Sequence, residues 1–146
     1  MSEFSLARIG LLVKEGDVKK THNMIVYLFQ LWLEREGVGR ENMKIMEEYR
    51  GLSPDIIVYS ESDIISVWEI IEPDQEWDLL AQEVRRKLEN IVLRAYAYVY
   101  KPRAIVLTNG IQFYIYDKML NPIREILDLS KINKNDEEEL KHYLIY

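Results

Sequence analysis

Two carboxylates stand where acids are rarely placed. Asp55 opens the run Pro54-Asp55-Ile56-Ile57-Val58-Tyr59, and Glu69 sits late in Ile64-Ile65-Ser66-Val67-Trp68-Glu69-Ile70-Ile71. β-Branched and aromatic residues fill both runs, and Ser60-Glu61-Ser62-Asp63 supplies turn chemistry between them. The pattern predicts two adjacent strands joined by a tight turn. A carboxylate buried in such a strand costs several kcal/mol, roughly, unless it is paired or binds a metal. For Asp55 the plain structural role is an acid at the start of a strand, satisfied by backbone N–H groups. For Glu69 it is an acid at a strand end, paired with a lysine or arginine. The chemical alternative is a shared metal site. Glu72 and Asp74 follow as further acids, read as solvated turn residues.

The elements that must hold these acids follow from the pattern of the chain. Leu6 to Val13 is a short apolar segment of open type. Glu15-Gly16-Asp17 predicts a break and a helix start, with Asp17 as N-cap. Helical spacing of Met24, Ile25, Leu28, Phe29 and Trp32 predicts a helix from Val18 to Glu36, ended by Gly37 and Gly39. Met43 to Arg50 reads as a strand. Beyond Pro73, Glu76 to Tyr100 predicts a long helix with a stripe of Trp77, Leu80, Val84, Leu88, Ile91, Ala95 and Val99. Arg103 to Thr108 and Ile111 to Asp117 predict a hairpin about Asn109-Gly110. Ile123 to Leu129 reads as an edge strand, and Asn135 as the cap of a last helix from Asp136 to Tyr146. The helix between the third and fourth strands is the crossover that makes those strands parallel. The fold class expected is α/β (α+β): a mixed sheet of about five strands flanked by helices, as a single domain over 1–146.

Composition narrows the class. The chain has 146 residues, 48% hydrophobic and 30% charged, which suits one globular core. It has no cysteine, which excludes disulfides and Cys-based zinc sites and fits a cytoplasmic protein. No signal-peptide pattern opens it, and no apolar run approaches a membrane span. The residue usage is compatible with a thermophilic source. The net charge of −6 argues against a chain that coats nucleic acid non-specifically.

Asp55 after Pro54, the strand ending Val67-Trp68-Glu69, Tyr96-Ala97 late in the long helix, and Leu107-Thr108-Asn109-Gly110 before the aromatic strand Phe113 to Asp117 together resemble the PD-(D/E)xK, restriction-endonuclease-like superfamily. Within it the chain is most similar to the N-terminal nuclease domain of type I restriction enzyme R subunits. The resemblance covers roughly residues 15 to 118. It implies an Asp and a Glu on adjacent strands holding Mg²⁺, with DNA cleavage as the activity. It also implies a lysine two residues after the Glu, orienting the attacking water. Here that position is Ile71, and the family's helical glutamine is replaced by Val92. The expectation is therefore a degenerate site in a nucleic-acid-associated binding or assembly module.

Two alternatives stay open. One is an active Mg²⁺-dependent nuclease in which a migrated cation, Lys87 or Arg94, serves the acid pair. The other is a protein-interaction module that retains only the fold, with a homodimer or another protein as partner. Arg85, Arg86, Lys87 and Arg94 make the one basic stripe, which either meets phosphates or is a solvated face. Glu15 or Asp17 would stand for the family's first-helix acid. His22 and His142 read as rim residues, and the tyrosines as rim fillers rather than base-stacking platforms.

Overall fold

The sheet is built by strands whose side chains alternate between two cores. In the computed structural model, which describes residues 4–16, 21–73, 79 and 81–146, six strands lie in the order β1-β2-β3-β4-β5-β6. They are β1 (Met43–Ile45), β2 (Ile56–Ser60), β3 (Asp63–Ile70), β4 (Ala104–Thr108), β5 (Phe113–Tyr116) and β6 (Pro122–Ile126). All neighbours are antiparallel except β3 and β4, which run parallel. The helical crossover predicts that exception. The sheet has six strands where about five were expected, because Pro122–Ile126 does form an edge strand.

One face carries Ile56, Val58, Trp68, Ile70, Val106, Phe113 and Ile115. Helices α1 (Leu6–Glu15), α2 (His22–Arg35) and α5 (Lys134–Leu144) cover it. Phe29, Trp68 and Phe113 meet at its centre with ring centroids 5.3 to 5.8 Å apart. The other face carries Ile57, Val67, Ile105, Leu107, Tyr114 and Tyr116. It is covered by α3 (Gln82–Leu88), a π-helical turn (Glu89–Leu93) and α4 (Arg94–Tyr100). The period of two along each strand sorts the residues into these layers.

Several local expectations are corrected. Leu6–Glu15 is a helix, capped by the Ser5 hydroxyl and closed by Gly16 at φ 75°. The second helix starts at His22 behind a Thr21 cap; Asp17, the expected cap, lies outside the described residues, as do Asp74, Trp77 and Leu80. β1 stops at Ile45 because Met46 turns into left-handed backbone at φ 51°. The last helix is capped by Asn133 in a reciprocal box with Asp136, two residues before the expected cap.

The long helix is not regular. The π turn inserts one residue, so each later position is displaced by about 100° around the axis. The expected stripe Ile91, Ala95, Val99 becomes Val92, Tyr96, Tyr100. Ile91 is 67% exposed, whereas Tyr96 and Tyr100 are buried.

Candidate functional site

The register that pairs Ile56 with Trp68 places Asp55, one residue earlier, opposite Glu69. Both acids therefore face the layer of the long helix, at the same end of the sheet. Asp55 is 7% exposed. Its Oδ2 accepts from the Ile70 N–H at 2.6 Å. Its Oδ1 lies 2.6 Å from Nε2 of His22, the first residue of α2. Glu69 Oε1 accepts from the Tyr96 hydroxyl at 2.7 Å. Three of the pair's four carboxylate oxygens thus carry a hydrogen bond. Glu72 accepts from the His22 N–H at 3.0 Å, an acid on the free N–H of a helix start.

Burial governs the electrostatics. Desolvation raises Asp55 above its usual carboxylate value, opposed by the Ile70 N–H and then by His22. Desolvation also pushes Glu69 up to about 7, opposed by the Tyr96 bond and assisted by the charge of Asp55. Tyr96 is raised by burial and by Glu69 beside it. A buried acid poised near neutrality is the kind of group that proton-transfer sites use, and structural clusters share the property.

Of the pair, Glu69 opens into a cleft of about 450 Å³ lined by His22, Glu69, Ile70, Ile71, Glu72, Leu88 and Val92. No lysine or arginine is among these lining residues. Ile71 stands in the cleft beside Glu69, and its N–H donates to Thr108 O at 3.0 Å. Val92 enters it from the π turn. Lys87 is exposed, and neither it nor Arg94 makes an ion pair with Asp55 or Glu69. Arg94 donates instead to Asn90 at 3.2 Å. Arg85 lies 4.9 Å from the centre of the Tyr114 ring and donates to Leu79 O. Arg86 is exposed. The expected basic stripe is therefore split, with Arg85 turned toward the sheet and its neighbours toward solvent. Glu15 lies exposed at the end of α1.

Two residues at this site were not expected there. His22, read as a rim residue, is bonded to Asp55. Glu72, read as a solvated turn acid, caps α2. Asp55 and His22 are 33 positions apart, and nothing in the local pattern joins them. Asn109, part of the Thr-Asn-Gly signature, is structural. Its Oδ1 accepts from the Ile111 and Gln112 N–H groups at 2.9 and 2.8 Å.

Magnesium prefers hard oxygen ligands in near-octahedral array. Among the described residues no group of three or more His, Asp or Glu side chains is arranged to hold a metal ion. With three carboxylate oxygens engaged and Ile71 in the cleft, the residues do not fit that cation as they stand. No helix among the described residues is long and apolar enough to cross a membrane. No family model, curated protein or solved structure matches the chain.

Proposed function

We propose that this chain is a restriction-endonuclease-like module that associates with nucleic acid and acts by binding or assembly, with little or no catalysis. The carrying observation is the closed acid pair. Asp55 and Glu69 face each other across adjacent strands, yet His22, the Ile70 N–H and Tyr96 occupy their oxygens. The element order and the parallel β3–β4 pair support the resemblance to the PD-(D/E)xK superfamily. The isoleucine at position 71 and the valine at 92 support the loss of catalysis. An ammonium that could orient water and offset phosphate charge has no counterpart in the lined cleft. A cysteine-free chain suits a cytoplasmic setting.

A second reading is a Mg²⁺-dependent nuclease. It is favoured by Asp55 and Glu69 standing opposite each other on adjacent strands, and it needs His22 to leave Asp55. A third, a protein-binding module or homodimer, is favoured by Ile91 and Tyr98 (81% exposed) on the outer side of the long helix.

The deciding assay incubates single- and double-stranded DNA and RNA with the chain and Mg²⁺ or Mn²⁺. Non-catalytic binding predicts no cleavage above that of Asp55→Ala. Metal-dependent cleavage abolished by Asp55→Ala and by Glu69→Ala would establish the nuclease instead.

A further inference from the structure

A second cleft, of about 580 Å³, lies on the same face of the sheet as the acid pair but at its opposite end. Asp63, in its lining, and Ile70, beside Asp55, stand at the two ends of β3, roughly 20 Å apart by strand rise. The lining brings together four cations: Lys44 of β1, Arg50 of the following turn, Lys101 at the end of α4, and Arg103 before β4. Arg103 is committed, donating to Asp63 at 3.0 Å and to Tyr146 O at 2.9 Å. Lys44, Arg50 and Lys101 make no ion pair among the described residues. Three such cations at one concave place run against a chain of net charge −6.

Tyrosines hold two of these cations. Lys44 Nζ lies 5.0 Å from the centre of the Tyr49 ring and 5.6 Å from that of Tyr59. The Arg50 guanidinium lies 5.0 Å from the Tyr49 ring. Tyr49 in turn stacks on Tyr100 at 5.9 Å and 11°. The Tyr100 hydroxyl donates to the Tyr49 carbonyl at 2.6 Å, so the platform is anchored to the long helix.

Five non-glycine residues among the described ones have left-handed backbone, and Arg50 (φ 57°), Glu61 (φ 54°) and Lys101 (φ 49°) of this lining are three of them. Glycine would relieve that conformation at all three. Each turn has a local cause: Lys101 is the left-handed cap that ends α4, Arg50 and Gly51 make the turn between Tyr49 and Leu52, and Glu61 makes the turn between β2 and β3, so the cations are delivered by chain reversals around the cleft.

We infer that this cleft binds a nucleoside phosphate unit, with the phosphate on Lys44, Arg50 and Lys101 and the base against the tyrosine rings of the lining. The volume suits one nucleotide, and the combination of cations with tyrosine rings is that of single-strand recognition. Of the two acids in the lining, Asp63 is paired with Arg103 and Glu61 sits in the turn between β2 and β3. Such a site deepens the binding role proposed above and rests on it for the class of partner.

The test is fluorescence anisotropy with a short labelled oligothymidylate, competed by AMP, by adenosine and by inorganic phosphate. AMP should compete best, and adenosine and phosphate each worse. Arg50→Gly with Lys101→Gly removes two cations while relaxing their backbone, so the variant should melt no lower than the native chain. It should bind the oligonucleotide about tenfold or more weakly, with a shallower salt dependence. Native-like affinity in that variant would overturn the cleft as the site while leaving nucleic-acid association in place. Absence of binding by the native chain would overturn both. Preference for an oligonucleotide over AMP assigns the cleft to a strand, and equal competition assigns it to the free nucleotide.

Discussion

At the residue scale, Glu69 is the group whose state decides how the acid pair behaves. Its ordinary value of 4.5 is raised to about 7 in the fold. Between those values the native state holds a proton that the unfolded chain has released, so stability falls as pH rises through about 7 and is fully regained below the unfolded value. Asp55 is shifted in the same direction. Asp117 and Asp128 are shifted the other way and act at lower pH. Glu69→Gln should therefore stabilise the chain by about 1 to 2 kcal/mol at pH 8 and flatten its pH dependence between about 5 and 7. Chemical denaturation across that range checks it, and an unchanged slope would show that Glu69 does not carry the titration. That Asp55 and Glu69 stand on adjacent strands was legible from the two strand runs and the turn between them, whereas their opposition is set by the register of the sheet. The role of His22 was not, since the contact joins the start of a helix to a strand more than thirty positions away.

At the element scale, the strands and the parallel crossover follow from period-two runs and turn residues, and their positions agree with expectation to within a few residues except at β1, which ends at Ile45 rather than Arg50. The long helix was legible as a helix but not in its register. Periodicity assumes a constant turn, and the π turn at Glu89–Leu93 breaks that assumption. The broken turn has a consequence at the site, because it brings Tyr96 onto Glu69 and Val92 into the cleft. Deleting Asn90, an exposed residue of that turn, would restore a regular helix and rotate Tyr96 away by about 100°. The deletion should lower the melting temperature by several degrees, on the order of one lost buried hydrogen bond and its packing. It should also remove the Tyr96 bond that holds Glu69 down, so the Glu69 pKa rises further. A native-like melt and titration would show that the turn is not what positions Tyr96. The cap at Asn133 rather than Asn135 is a smaller miss of the same kind, where two asparagines within one turn offer the same chemistry.

At the scale of the whole molecule, the two faces of the sheet do different work. The face under α1, α2 and α5 is a closed apolar core, tied by the Ser66 hydroxyl donating to Leu144 O at 2.8 Å. The face under the long helix carries both candidate sites, one acidic and closed, the other cationic and open, at opposite ends. The acid pair could be read from the sequence. The cationic cleft could not, since its lysines and arginines come from two stretches, 44–50 and 101–103, that only the fold brings together.

The closed state of the acid pair is tested most directly by titrating the chain with Mg²⁺ and Mn²⁺ in a calorimeter, beside the double variant Asp55→Ala, Glu69→Ala. A closed, non-catalytic pair predicts no binding heat that distinguishes the two proteins. Metal binding by the native chain that the double variant lacks would contradict it, and would make Asp55 and Glu69 a working metal site.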